Sequence, residues 1–162
     1  MTRFIDEEVS YYDRAVDELK RVDHLIYVSL KYTRTADVLR NTIDRMIECF
    51  GNIVEGLLIR AEDRNIIFDI PVAPGAKINE VKRIYDEDKD IKEMIEFYTY
   101  LRKIANAEYR GVREFRRHVT MIASLLDGTE EEINIDIITE YYSKCKRLVE
   151  DLGRFFKSDE ES

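Results

Sequence analysis

Apolar residues return every three or four positions along almost the whole chain, and that spacing is the period of one face of an α-helix. The first stripe runs Ile5, Val9, Tyr12, Val16, Leu19, Ile26 and Leu30, with one interruption near Asp23. The second runs Leu39, Ile43, Met46, Ile47, Phe50, Val54, Leu57, Leu58 and Ala61, with Asp37, Asp44, Glu48, Asn52 and Glu55 on the opposite side. Lys31 to Thr35 makes the turn between them, and Thr35 can cap the second helix. Helices are predicted over residues 5–32 and 36–61. Such stripes leave water only by packing against one another, so the expected fold is an all-α bundle.

Periodicity stops at Asn65–Gly75, which holds both prolines of the chain. The segment is too apolar for a free linker. It is predicted as one extended, Pro-containing loop over residues 65–77, laid across the bundle; the alternative is a partner-binding surface. A short helix should follow from about Asn79 to Tyr85. Ile91, Met94, Ile95, Tyr98 and Leu101 open a further stripe. Continued without a break to Leu126 it would measure about 54 Å, against about 40 Å for the first helix. A break is therefore expected between Ala105 and Gly111, with Asn106 as a fresh cap. Helices are predicted over 88–105, 108–126 and 130–156, the last opened by a capping box at Thr129–Glu132 and its predecessor stopped by Gly128. That makes a single-domain bundle of about five main helices over residues 1–156. Residues 157–162 should form a disordered acidic tail.

Length and composition narrow the setting. A chain of 162 residues fits one core. With 37% charged and 44% hydrophobic residues it is neither a disordered chain nor a membrane protein. No apolar run reaches the roughly 18 residues of a membrane span, and the first residues lack the apolar centre of a secretory signal. Cys49 and Cys145 stand alone inside helical stripes, as buried thiols of a reducing compartment would. The expected localisation is cytoplasmic. The absence of Gln with an abundance of ionic side chains is the composition of a thermophile. A net charge of −8 excludes a surface built throughout for nucleic acid but leaves room for a local basic patch.

Chemistry-bearing motifs are scarce. Phosphate-binding glycine loops, nucleophile elbows and paired histidines are absent, so no cofactor and no metal site are expected. Glu93-Met-Ile-Glu96 resembles one half of the acidic pairs that hold magnesium in all-α pyrophosphatases of the MazG type, but no second pair follows. His24, near the end of the first helix, reads as structural. The one segment different in kind is Arg113-Glu114-Phe115-Arg116-Arg117-His118. On a helix, Arg110, Arg113 and Arg117 would share one face and His118 would sit at the edge of the apolar stripe.

The pair Arg113 and His118, four residues between them, resembles the Arg-x(4–6)-His signature of HEPN domains, which are all-α bundles that often act as metal-independent ribonucleases. The resemblance covers two residues and the fold class. It implies that His118 shuttles protons at the ribose 2′-oxygen and leaving oxygen while Arg113 offsets phosphate charge. On an ideal helix, residues five apart point about 140° away from each other. The pair would then converge in a distorted first turn, or across a dimer. The expected protein is a non-catalytic, homodimeric interaction module that touches RNA, or a protein partner, through Arg110, Arg113, Arg116 and Arg117. The alternative is a HEPN-like ribonuclease using Arg113 and His118.

Overall fold

The structure, a computed structural model, describes residues 2–156, with side chains from Glu7 onward. The expected acidic tail therefore lies outside the described residues. Helix α1 (Thr2–His24) continues through a π-helical turn, Leu25–Ser29, into the single turn α2 (Leu30–Tyr32). Residues 33–35 reverse the chain into α3 (Ala36–Asp63). Thr35 is extended there, and its hydroxyl accepts from the Val38 N–H at 3.3 Å, as a helix cap should.

The π-turn explains the interrupted stripe. Val22, Ile26 and Leu30 are all buried. Their steps of four would drift about 40° per step around an ideal α-helix, and one wider turn takes up the drift so that all three face the core.

Helix α3 is the centre of that core. Leu39, Ile43, Met46, Phe50, Ile53 and Leu57 have no solvent exposure, and even Gly56 is buried. A Cβ at Gly56 would lie 2.6 Å from the Phe156 ring, so glycine is required for that close approach. Helices α4 (Pro74–Ile84), α5 (Lys89–Asn106) and α6 (Ile135–Leu152) pack around α3 on its remaining sides. The irregular segment ends sooner than expected, at Ala73, because Pro74 occupies the first helical turn, where its missing N–H costs nothing. Within that segment Ile67 and Ile70 pack on the core, whereas Ile66, Phe68 and Val72 face solvent. Cys49 and Cys145 are buried and free, and burial pushes both thiols above their ordinary range.

The expectation of an all-α fold is corrected by a three-stranded antiparallel sheet. Strands β1 (Glu108–Val112), β2 (Thr120–Ser124) and β3 (Glu130–Asn134) pair in the order β1-β2-β3. The expected break falls where α5 ends, at Asn106, but strand follows it instead of helix. Val119, Ile122 and Leu126 carry a helical step; Val119, Met121 and Ala123 alternate as strand residues do. The fold uses the second period: Val119, Met121 and Ala123 are wholly buried, and Leu126 is fully exposed. Residues 129–132, expected to cap a helix, include the start of β3, and α6 begins five residues later with Asn134 as its cap, accepting from the Ile137 N–H at 2.9 Å. Gly128 stops no helix. It adopts φ +87° in the turn joining β2 to β3, a conformation that favours glycine.

One buried carboxyl gives the fold a pH dependence. Glu8 is 7% exposed, and burial pushes its pKa up to about 7, partly countered by Arg60 and Arg64 and reinforced by Asp63. Below about pH 4.5 the group is neutral in folded and unfolded chains alike. Between 4.5 and 7 the folded state keeps a proton that the unfolded state releases, so stability falls as pH rises. Glu8→Gln should remove this loss, leaving stability near pH 4 unchanged and raising it by about 3 kcal/mol at pH 8. Urea titrations at the two pH values check this; an equal effect at both would contradict it.

Candidate functional site

The loop joining β1 to β2, residues 113–119, carries the basic segment, and two contacts fix its path. The Phe115 N–H donates to the Arg34 carbonyl oxygen at 2.6 Å, and the Ala36 N–H at the start of α3 donates to Glu114 Oε1 at 3.3 Å. The loop is thereby pinned on the turn that precedes α3. Gly111 allows the close approach, since a Cβ there would run into the Glu114 carboxylate and lie 2.9 Å from the Ala36 Cβ. On the same end of the bundle, the Tyr109 hydroxyl donates to Asp37, which pushes the phenol pKa up, and Arg40 donates to the Ala105 carbonyl.

Between those anchors the backbone is strained. Arg113 and Phe115 adopt φ +55° and +64°, left-handed values that cost a side-chain-bearing residue about 1–2 kcal/mol each. The result is that Arg113, Phe115, Arg116, Arg117 and His118 all point into solvent, with Phe115 76% exposed. Tyr32, 79% exposed, stands two residues from the Arg34 carbonyl that holds Phe115.

The helical geometry expected for these residues does not hold. Arg110 lies on β1 and pairs with Glu130 of β3 at 2.7 Å, so it is not on one helix face with Arg113 and Arg117. His118 is exposed in the loop and not at the edge of an apolar helix stripe. It lines a hollow of about 240 Å³ together with Arg34, Arg117, Asn134, Ile135 and Asp136. Arg113 is not part of that lining. The structure thus brings His118 to Arg117 and Arg34, and leaves Arg113 and Arg116 on the loop beside them.

Several arginines elsewhere are neutralised within the chain. Arg21 and Arg45 meet Glu18, Arg40 meets Asp44, Arg83 meets Glu80, and Arg147 meets Glu93. Arg154 meets both Asp88 and Asp90. Glu93, one half of the pattern compared with magnesium-binding pairs, is held below its ordinary pKa by the Arg147 hydrogen bond. Among the described residues no group of three or more His, Cys, Asp or Glu side chains gathers as a metal site would require. None of Arg34, Arg113, Arg116 and Arg117 has an ion pair or a side-chain hydrogen bond among the described residues; the same holds for Arg14, Arg64 and Arg102, but those are scattered along the chain. The concentration of the first four at one end is what marks the site.

Compared with protein-family models, curated proteins and solved structures, the chain matches none. The site therefore stands on its own geometry. Sequence reasoning missed Arg34, Asn134, Ile135 and Asp136. An available signal was the Asn134-Ile-Asp136 start, with an Asn in capping position before the apolar pair Ile137 and Ile138; Arg34 carries no local signal at all.

Two variants should separate the loop's anchor from its surface. Glu114→Ala removes the acceptor for Ala36 N–H and should cost about 1 kcal/mol of stability. Gly111→Ala should cost more, because the new methyl displaces the Glu114 carboxylate from the Ala36 N–H and also presses on the Ala36 side chain. In both, amide exchange should speed up at residues 113–119 ahead of the rest of the sheet. Unchanged exchange there would show that the loop is not held by these contacts.

Proposed function

We propose that this protein is a non-catalytic binding module that engages single-stranded RNA at the β1–β2 loop. The observation that carries it is an exposed aromatic, Phe115, set among three arginines without partners among the described residues, in a chain of net charge −8. Arginines held out of internal ion pairs retain their full attraction for phosphate, and an exposed ring offers a face on which a base can stack. Tyr32 supplies a second ring on the same end of the bundle. Backbone strain at Arg113 and Phe115 fits a site whose shape is kept for contact rather than for stability. Arg110 is assigned a structural part, since Glu130 already neutralises it.

The ribonuclease alternative asks Arg113 and His118 to meet at one phosphate. The hollow supports a different grouping, His118 with Arg117 and Arg34, so binding without cleavage is the favoured activity. Fluorescence anisotropy with a single-stranded oligoribonucleotide tests it. Arg116→Ala and Arg117→Ala should each weaken binding and make the salt dependence shallower, and Phe115→Ala should weaken it by about tenfold with the salt slope unchanged. RNA left intact in EDTA agrees with the proposal; cleavage abolished by His118→Ala would replace it with the ribonuclease.

The assembly proposed is a C2 homodimer, the commonest way for a small protein to cover leftover apolar surface. Ile66, Phe68 and Val72, exposed together on the segment between α3 and α4, support it. Light scattering should give twice the chain mass, and Phe68→Asp should return it to one; a monomer of the parent protein at micromolar concentration ends the proposal.

A further inference from the structure

We infer that the hollow between the β1–β2 loop and the start of α6 holds the terminal phosphate monoester of a nucleic-acid strand, with the adjoining base against Phe115. The inference rests on the RNA-binding proposal and names the part of the strand that is recognised. Three observations lead to it. Arg34 lines the hollow, and its Nε, like those of Arg40 and Arg60, is buried with no hydrogen-bond partner among the described residues; unlike theirs, its terminal nitrogens have none either. A buried guanidinium donor without an acceptor is costly, and an anion seated against the same guanidinium from the hollow would offset that cost. Arg117 and His118 line the same space, and their side chains have no partner among the described residues.

The first turn of α6 closes the far side. Asn134 Oδ1 already accepts from the Ile137 N–H at 2.9 Å, while the N–H groups of the first helical residues have no acceptor within the helix. These add to the cationic lining and do not make the site by themselves.

Size and charge favour a chain end over an internal phosphate. About 240 Å³ is several times the roughly 30 Å³ share of one water molecule, enough for a phosphate group and a few waters. An internal phosphodiester would have to bring a ribose in on both sides. Asp136 is the one carboxylate in the lining and repels any anion. A monoester, with a charge of about −1.5 to −2 at neutral pH, gains more from the two arginines than a diester of charge −1 does. Phe115, pinned by its N–H to the Arg34 carbonyl, is placed for the base next to that phosphate.

The test uses one short single-stranded RNA sequence with a 5′-phosphate, a 3′-phosphate, or hydroxyls at both ends. Anisotropy should show one phosphorylated form binding at least tenfold more tightly than the hydroxyl-ended form, and the two phosphorylated forms identify which end is read. Arg117→Ala, an exposed substitution whose melting curve should overlay the parent's, should reduce that preference to less than threefold. Arg34→Lys should do the same if the full variant Arg34→Ala fails to fold. Equal affinity for all three RNAs overturns the inference and leaves the RNA-binding proposal standing. No binding of any of them overturns both. A phosphoserine peptide that binds as tightly as the phosphorylated RNA overturns the assignment to a nucleic-acid end.

Discussion

Helix α3 needs cover on all sides, and the rest of the architecture follows from meeting that need. Its buried residues, from Ala36 to Ala61, are not confined to one stripe but include adjacent pairs such as Thr42 and Ile43 or Leu57 and Leu58. Helix α1 covers one side as the partner in a long helical hairpin, and α4, α5 and α6 cover others. Near the start of α3, however, α5 has already ended at Asn106 and α6 has not begun. The sheet fills that gap, with β2 as its central strand and Met121 and Ala123 contributing to the core. A strand pair reaches across the end of a bundle where another helix would have to run past it.

The sheet's position also decides where charge accumulates. Along the helices, several arginines lie within reach of carboxylates at helical spacing or across neighbouring helices, and these pair. On the β1–β2 loop, Arg113, Arg116 and Arg117 make no ion pair among the described residues, although Asp136 lines the neighbouring hollow. The loop's own glutamate, Glu114, is turned inward to the Ala36 N–H and cannot neutralise the arginines on either side. A net negative protein thus carries a local positive end without any unusual composition there.

The helices were legible because each stripe is long and its period consistent. Residues 36–61 predicted α3 to within two residues, and the interruption near Asp23 foreshadowed the π-turn that follows it. The strands were not, because each has five residues, too short for the two periods to be told apart. Phe115, Val119, Ile122 and Leu126 continued a helical step by coincidence, and Thr129-Glu130-Glu131-Glu132 imitated a capping box. Asp127-Gly128, which makes the hairpin turn, was the countersignal. The basic segment was legible as a site, but its geometry was not, since the residues that line the hollow with Arg117 and His118 are Arg34 and residues 134–136. Such neighbours meet only through tertiary structure.

The way the β1–β2 loop is fastened has a consequence for how freely its sequence can change. Its fixed points are a backbone N–H, a backbone carbonyl and one carboxylate. The side chains at 113, 116, 117 and 118 are not needed to hold it. Lengthening such a connection costs little, since closure entropy grows only with the logarithm of loop length. The loop is in effect an exchangeable cartridge on a rigid mount. Related chains could carry different residues there, and so meet different ligands, while Glu114, Gly111 and the turn before α3 stay the same.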